Sequence, residues 1–161
     1  MKISLVIPAH NEEKYIGKCL ESVVKNHGKN FFEIIVVDNA STDRTAEIAK
    51  SFPGVKVVYE KNKGLTHARQ RGFLEAKGDI LAYVDADTLM PKGYYEKVVR
   101  EFSKNPNLVC FSGPHEFYDL GKIYQILTKV FWKTLAFPVY LIVGYMTIGV
   151  NFAIRRDILE K

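Results

Sequence analysis

Short, mostly apolar runs recur along the chain, and each run ends at a polar or turn-forming residue. Four of them cover residues 3–7, 34–37, 55–59 and 80–84, and a shorter one lies near residues 108–111. Runs of this length that are bounded by turn signals are typical of buried strands. The pattern therefore predicts five strands.

Between these runs, apolar residues return at the three- and four-residue spacing of a helix that buries one face. The spacing predicts four helices: one from Ile16 to about residues 26–28, one running toward Phe52, one over residues 65–76 and one over 94–102. Ser41 or Thr42 is the expected N-cap of the second helix. Strands that alternate with helices imply right-handed crossovers and a mainly parallel α/β sheet with helices on both faces. At 161 residues, the chain suits one domain, 1–161.

Polar clusters follow three of the predicted strands. They are residues 8–13, 38–43 and 85–87. The carboxyl ends of parallel strands lie along one edge of the sheet, and ligands of such sheets bind beyond that edge. We expect the three clusters to form one site.

The third cluster contains two acids, Asp85 and Asp87, separated only by Ala86. Burying carboxylates without a partner is costly, so a partner is expected. Oxygen ligands suit Mg²⁺ or Mn²⁺, and these ions are usually shared with substrate phosphates. The alternative is a purely structural role, such as capping a turn.

A hydrophobic strand followed by DxDxT also occurs in phosphatases that form an aspartyl-phosphate, with Asp85 as the nucleophile here. That chemistry needs a downstream acidic pair to complete a magnesium site. After Thr88 the remaining aspartates, Asp119 and Asp157, are far apart in the sequence. A phosphatase would also give no role to the acids that follow the earlier strands. It remains the alternative enzymatic hypothesis.

Several other classes lack their sequence signals. No glycine-rich turn follows the first strand, and no GxxxxGK[ST] loop is present. The net charge is +5, but residues 1–119 carry 17 basic and 16 acidic side chains, against six and two in residues 120–161. Because the basic excess is local, nucleic acid is not an expected partner.

The N-terminus does not resemble a signal peptide, so a cytoplasmic setting is expected. Cys19 and Cys110, each within an apolar pattern, are expected to be buried free thiols.

Four segments together resemble the family 2 glycosyltransferases. They are LVIPAHNEEKYI at 5–16, EIIVVDNASTDRT at 33–45, KNKGLTHARQRGFLEAKGDILAYVDADT at 61–88 and GVNFAIRRDIL at 149–159. They occur in order and span nearly the whole chain. The resemblance implies the Rossmann-like GT-A fold. It also implies transfer of a sugar from a nucleotide-diphosphate donor to an acceptor hydroxyl, with inversion at the anomeric carbon.

The resemblance implies that the first two segments bind the nucleotide. Pro8, Ala9, Asn11 and Glu12 match the first nucleotide-contacting loop. Asp38 matches the acid that accepts a hydrogen bond from the base, which is uracil or guanine in UDP- and GDP-linked donors.

The third segment supplies the diphosphate and metal residues that the resemblance implies. Arg69 would face the nucleotide or its diphosphate. Asp85, followed by Ala86, would contact the ribose or the metal, and Asp87 would hold the metal. A bound Mg²⁺ or Mn²⁺ would neutralise charge on the leaving diphosphate.

Two residues depart from the family pattern: His10 stands where a tyrosine is common, and Gln70 replaces the usual asparagine. In the family, the acid that acts as the catalytic base belongs to a motif downstream of the position of Lys161, so the base is expected beyond this residue. We therefore expect the chain to be an N-terminal portion, truncated at its C-terminus. A nucleotide-sugar-binding fragment without turnover is the non-enzymatic alternative.

The C-terminal quarter has a different pattern. A helix from residue 122 would place Lys122, Lys129 and Lys133 close together beside a broad apolar arc, residues 123, 126, 127, 130, 131 and 135. Basic amphipathic helices of this kind often lie on anionic membranes. The alternative is a helix that covers the core, but Trp132, Tyr140 and Tyr145 favour membrane contact.

The segment between Lys133 and Arg155 has no charged residue for 21 positions, enough to span a bilayer. Pro138 and Gly144 argue against a plain spanning helix, and the resemblance needs residues 149–154 to return to the sheet beside the metal site. We expect residues 1–119 to bind nucleotide-sugar and metal, and residues 120–161 to begin the acceptor part. Residues 122–150 would then touch the inner face of the cell membrane. The acceptor there would be a lipid-linked or polysaccharide molecule of cell-envelope biosynthesis.

Overall fold

The computed structural model describes residues 1–27, 30–112, 121–136, 138–139 and 151–160. It contains a single six-stranded sheet. The strands are β1 (Ile3–Ala9), β2 (Glu33–Asp38), β3 (Val55–Tyr59), β4 (Ile80–Tyr83), β5 (Cys110–Ser112) and β6 (Phe152–Arg155). The helices are α1 (Ile16–His27), α2 (Thr45–Lys50), α3 (Leu65–Glu75), α4 (Tyr94–Lys104), α5 (Lys122–Phe131) and α6 (Arg156–Leu159). A π-helical stretch, Trp132–Ala136, follows α5.

The strand order is β3-β2-β1-β4-β6-β5. The first four strands pair in parallel, and β6 is antiparallel to both of its neighbours. The predicted mainly parallel sheet is therefore confirmed. The strand order reverses between β1 and β4, because β2 and β3 lie on one side of β1 and β4 lies on the other. Such a reversal is where open α/β sheets bind ligands.

Helices cover both faces of the sheet, as the sequence predicts. Alternating side chains of β1 explain this, since successive residues of a strand point to opposite faces. Leu5 and Ile7 pack in the larger core cluster with residues of α1, α2 and α4, whereas Val6 packs in the second cluster with Ala68 and Ala76. Both faces of β1 are therefore buried from solvent, which is why its sequence is an almost continuous apolar run.

Two of the predicted boundaries differ from the structure. Helix α2 begins at Thr45, and neither Ser41 nor Thr42 caps it; instead, the Asp43 carboxylate accepts a hydrogen bond from the Thr45 N–H at 3.0 Å. Ser41 and Thr42 bond to Asn11 in the preceding loop, which removes them from the cap. The predicted fifth strand near 108–111 is observed as β5, which begins later.

The C-terminal segment returns to the sheet as the resemblance required. Strand β6 pairs antiparallel with β4, with Tyr83 opposite Phe152. Residues 140–150, including Tyr140, Tyr145 and Gly144, lie outside the described residues. Within the described part of the chain, no helix has the length and apolar character needed to cross a membrane.

The predicted helix after residue 121 is present as α5, but its apolar arc does not cover the core. Side chains of the arc are between 50% and 73% exposed: Ile123, Ile126, Leu127, Val130, Phe131 and Leu135. The alternative of a core-covering helix is thus not what the described residues form.

Candidate functional site

A cavity of about 320 Å³ lies at the carboxyl ends of β1 and β4, where the strand order reverses. We call it the edge cavity. It is lined by Pro8, Ala9, His10, Glu12, Asn39, Gly64, Leu65, Ala68, Asp85, Ala86 and Asp87. Six of the residues that the sequence predicted therefore surround one space: Pro8, Ala9, Glu12, Asp85, Ala86 and Asp87. They come from chain segments more than 70 residues apart, and the parallel sheet brings them together.

The two acids lie on a tight turn that follows β4, which we call the acid turn (residues 85–88). The Thr88 N–H donates to the carbonyl oxygen of Asp85 at 3.0 Å and closes the turn. Ala86 is buried, whereas Asp87 is exposed and Asp85 is half-buried. The turn thus places two carboxylates at the sheet edge with only a small side chain between them.

The loops after β1 and β2 are held together by reciprocal hydrogen bonds. The Asn11 N–H donates to the Ser41 hydroxyl at 3.0 Å, and the Thr42 N–H donates to the Asn11 side-chain oxygen at 2.8 Å. Close by, the Glu12 N–H donates to the Thr45 hydroxyl at 2.7 Å. Asn11 adopts a left-handed backbone with φ 56°, a conformation that asparagine tolerates better than most residues. Asn11 itself does not line the edge cavity, because its amide oxygen faces the second loop.

Asn39 is a site residue that the sequence reasoning missed. Its side-chain nitrogen donates to the carbonyl oxygens of Glu60 and Asn62 at 3.2 and 2.6 Å, and its side-chain oxygen accepts from the Gly64 N–H at 2.7 Å. All three bonds fix the loop that leads into α3, which forms one wall of the edge cavity. The signal in the sequence is a second polar residue directly after the strand, next to Asp38.

Asp38 and Arg69, both predicted to contact the donor, do not line the edge cavity. Asp38 is only 6% exposed, and its carboxylate accepts a hydrogen bond from the Ser41 N–H at 3.2 Å. Arg69 lines a neighbouring cavity of about 280 Å³ with Tyr83 and Phe152, and its guanidinium lies over the Phe152 ring at 5.2 Å. The Arg69 Nη2 is nevertheless 3.6 Å from the Asp85 Oδ1.

The carboxylates of the site repel one another. Burial raises the pKa of Glu12, and the charges of Asp87, Asp43 and Asp85 raise it further, whereas His10 lowers it. Burial also raises the pKa of Asp85; Arg69 opposes that shift and Asp87 adds to it. A bound cation would relieve this repulsion, because an opposite charge close by favours the ionised form of a carboxylate.

Cys19 lies beneath the acid turn, with its Sγ 3.9 Å from the Asp85 carbonyl oxygen. Burial, with smaller effects of Asp87 and Asp85, raises its pKa to about 12, so the thiol is protonated at neutral pH. Cys19 is a buried free thiol, as predicted. Cys110 is also a free thiol, as predicted, but it is only half-buried, because β5 lies at the edge of the described sheet.

In the part of the chain that the structure describes, the side chains that could hold a metal at this site are those of Asp85 and Asp87. Among the described residues, no group of three or more histidine, cysteine, aspartate or glutamate side chains is arranged to hold an ion. The donor set at the acid turn is two carboxylates in a solvent-accessible cavity. It fits Mg²⁺ or Mn²⁺ in the manner usual for nucleotide sites, in which phosphates and water complete the coordination shell.

The sequence and the fold both match known glycosyltransferases. The putative glycosyltransferase EpsH of Bacillus subtilis is 33% identical over 124 residues, which is 74% of this chain and 36% of EpsH. Two crystal structures of glucosyl-3-phosphoglycerate synthase from Mycobacterium tuberculosis are also similar, and each match covers 98% of this chain and 58% of the synthase chain. The complex with UDP has a TM-score of 0.72 and 23% identity, and the complex with Mn²⁺, UDP and glucosyl-3-phosphoglycerate has 0.70 and 25%. The structure of S. aureus TarS 1–349 in complex with UDP-GlcNAc covers 99% of this chain and 47% of its own, with a TM-score of 0.68 and 20% identity.

These matches define the fold as that of the GT-A glycosyltransferases. The model of the family "Glycosyl transferase family 2" matches residues 4–161, and the chain belongs to this family. The chain spans about a third of the length of EpsH and less than two thirds of each of the structures named above.

Proposed function

We propose that the chain binds a nucleotide-diphosphate sugar in the edge cavity and takes part in moving the sugar, with inversion, to an acceptor hydroxyl. The observation that carries the proposal is the convergence of Pro8, Glu12, Asp85 and Asp87 on one cavity at the strand-order reversal. A cavity that presents carboxylates but is walled by apolar residues suits a flat nucleoside joined to a metal-bound diphosphate.

In this proposal the loop after β1 and the wall formed by α3 hold the nucleoside. Pro8 and Ala9 present backbone at the end of β1, while Leu65 and Ala68 supply an apolar wall. The Asp38 carboxylate accepts a hydrogen bond from the Ser41 N–H and would also accept one from the base. The UDP in the similar synthase structures supports a uracil base, and GDP stays the alternative.

Asp87, with Asp85, would hold Mg²⁺ or Mn²⁺ against the diphosphate, which supplies charge neutralisation at the leaving group. The Mn²⁺ and UDP in the similar synthase complex support this assignment. Arg69 would add a second positive charge at the same place, because its guanidinium already lies beside Asp85. Leaving-group stabilisation is thus divided between the acid turn and α3.

The acceptor and the base that deprotonates it are not assigned to described residues. Family membership favours the glycosyltransferase over the DxDxT phosphatase, so two alternatives remain: a catalytic domain, and a binding portion that needs further residues for turnover. We propose that residues 1–119 form the donor part and that residues 120–161 begin the acceptor part.

Calorimetry with UDP, GDP and their sugars, with and without Mn²⁺, tests the proposal. We expect binding of one nucleotide diphosphate that depends on the metal; the absence of metal-dependent binding of either one would contradict the proposal. A sugar-release assay with the donor that binds then separates a catalytic domain from a binding portion. Phosphate release from simple phosphomonoesters would instead favour the phosphatase.

We also infer that α5 rests on an anionic membrane surface at the cytoplasmic face, close to a lipid-linked or polysaccharide acceptor of the cell envelope. The exposed apolar arc of α5 supports this inference, and Lys122 and Lys133 are exposed beside it. Helices that expose an apolar face and lysines bind such surfaces by combining burial of the face with electrostatic attraction.

A further inference from the structure

Asn151 stands at the point where the ladder between β4 and β6 ends. The last backbone pair of this ladder is Tyr83 with Phe152. Asn151 has a left-handed backbone with φ 51°. Its own carbonyl oxygen turns toward the hydroxyl of Ser112 on β5, at 3.4 Å. The backbone of Asn151 therefore does not continue the ladder toward the acid turn.

The side chain of Asn151 bonds to both ends of the acid turn. Its Oδ1 accepts a hydrogen bond from the Asp85 N–H at 3.0 Å, and its Nδ2 donates to the Thr88 hydroxyl at 3.2 Å. The same amide therefore touches the first and the last residue of the acid turn. The planar amide of Asn151 therefore fixes the separation and the orientation of Asp85 and Thr88, the two ends of the turn that contains Asp87.

We propose that Asn151 is a positioning residue that orients the Asp85 and Asp87 carboxylates for the metal. The inference rests on the proposed function, because it assigns Asn151 a role in the metal site of that function. Groups that orient metal ligands without touching the metal are commonly important, and their loss typically costs about 10- to 100-fold in metal affinity.

Asparagine suits both tasks at this position. A left-handed backbone is costly for most side chains but less so for asparagine. An amide carries an acceptor and a donor side by side: its Oδ1 accepts from the Asp85 N–H, and its Nδ2 donates to the Thr88 hydroxyl, which also lies 3.4 Å from the Oδ1. An aspartate would keep the acceptor but replace the donor and add a third negative charge beside Asp85 and Asp87.

The acid turn also has supports that do not involve Asn151. The Met90 N–H donates to the Ser22 hydroxyl at 2.9 Å, and the Asn26 side chain donates to the Met90 carbonyl oxygen at 2.9 Å. These bonds hold the chain just after the turn against α1. Loss of the Asn151 amide should therefore loosen the turn without unfolding it, so a change in metal affinity can be measured on a folded protein.

The decisive variant is Asn151→Gly, because glycine adopts the left-handed backbone without strain and lacks the side chain that carries the amide. We expect the affinity for Mn²⁺, measured by calorimetry in the presence of UDP, to fall about 10- to 100-fold. Without metal, amide exchange at Asp85, followed by NMR, should become about tenfold faster because its hydrogen bond is lost. Ser112→Ala is the control, since it removes a hydroxyl that contacts the Asn151 backbone and leaves the amide in place; both measurements should stay at the wild-type values.

An Mn²⁺ affinity of Asn151→Gly within twofold of the wild type would overturn the proposal. If this variant does not fold, Thr88→Val decides. It removes the partner of the Asn151 Nδ2, and we expect a fall in Mn²⁺ affinity of about threefold or more; an unchanged affinity would overturn the proposal. A wild-type protein that takes up no Mn²⁺ with UDP would contradict the proposed function, and the metal-positioning role with it. Wild-type uptake with no change in the variants would overturn the role of Asn151 alone.

Discussion

The guanidinium of Arg69 lies 3.6 Å from the carboxylate of Asp85, which places a positive charge of the protein next to a predicted metal ligand. Both side chains are partly exposed, 22% for Arg69 and 30% for Asp85, and water weakens the attraction between them. The same guanidinium rests on the face of the Phe152 ring. Arg69 is thus shared between the acid turn and an aromatic side chain of β6.

This relationship predicts opposite effects of Arg69→Met on two affinities. The affinity for Mn²⁺ alone should rise about threefold to fivefold, because a competing cation beside Asp85 is removed and an exposed pair is worth up to about 1 kcal/mol. The affinity for UDP at saturating Mn²⁺ should fall about tenfold or more, because a charged hydrogen bond to the diphosphate is lost. Calorimetry measures both.

The matched control is Arg71→Met on the same helix. Arg71 pairs with Glu75 at 2.7 Å and does not line the edge cavity, so neither affinity should change. If Arg69→Met lowers both affinities together, Arg69 supports the metal rather than competing with it.

Replacing Asp87 should remove metal binding while leaving the stability of the fold almost unchanged. Asp87 is exposed on the acid turn, so Asp87→Ala should abolish metal-dependent nucleotide binding while the melting temperature changes by only about 1–2 °C, as is usual for surface substitutions. Calorimetry with Mn²⁺ and UDP gives the first quantity, and thermal unfolding followed by circular dichroism gives the second. Asp157→Ala, an exposed acid on α6, is the control. Retained affinity in Asp87→Ala would remove Asp87 from the metal site.

The central strands of the sheet, β1, β2 and β4, could be predicted from the sequence because they are buried on both faces. The runs at 3–7 and 80–84 are nearly continuous apolar stretches, and β1 and β4 are observed at those places. The convergence of residues 8–13 with 85–87 followed from the rule that ligands bind at the carboxyl edge of such a sheet.

Contacts that join distant residues could not be predicted. The hydrogen bond from the Asp85 N–H to the Asn151 side chain joins residues 66 positions apart. Nothing in the local pattern of residues 149–154 indicates that a side chain there would bind the backbone of the acid turn. The cap of α2 was mispredicted for a similar reason. Ser41 and Thr42 are both good capping residues, but their contacts with Asn11 hold them in the loop before the helix.

Removing the charge of Glu12 should stabilise the metal-free protein. The pKa of Glu12 is raised above its ordinary value, so at neutral pH the folded protein holds this carboxylate ionised at a cost. A raised pKa of an acid means that the cost is present above the folded-state pKa and is relieved as the pH falls through it. We expect Glu12→Gln to be about 0.5 kcal/mol more stable at pH 7, within the range of partly exposed charge interactions.

Denaturant unfolding at pH 7 and at pH 4 tests this prediction, because the difference should vanish at the lower pH. Glu47→Gln on α2 is the contrasting variant. Glu47 pairs with Arg44 at 3.2 Å, and this partner lowers its pKa, so the substitution should give no stabilisation at pH 7. A less stable Glu12→Gln at pH 7 would show that the burial of the Glu12 charge and its repulsion by the neighbouring acids do not destabilise the fold.

Gly72 allows α3 to lie close against β1. A Cβ at this position would overlap the Cγ1 of Val6, whose side chain is fully buried. Gly72→Ala should therefore cost about 1–3 kcal/mol, as overpacking of a core usually does. Gly121→Ala is the control, because a Cβ at Gly121 would meet no atom within 4 Å. Urea unfolding measures both variants, and equal stability of the two would mean that α3 can shift away from the sheet at little cost.

The exposed apolar arc of α5 makes the membrane hypothesis testable by flotation. We expect the protein to float with anionic liposomes, and the Lys122, Lys129 and Lys133 triple alanine variant to lose about 100-fold in partitioning, since each basic residue near an anionic surface contributes about 1 kcal/mol. The control replaces Lys50, Lys92 and Lys104, which are exposed elsewhere, and should float like the wild type. If the wild type stays in the soluble fraction and the triple variant behaves identically, α5 does not bind the membrane. In that case its apolar arc needs another partner, because side chains that are 50% to 73% exposed leave a contiguous apolar face in water.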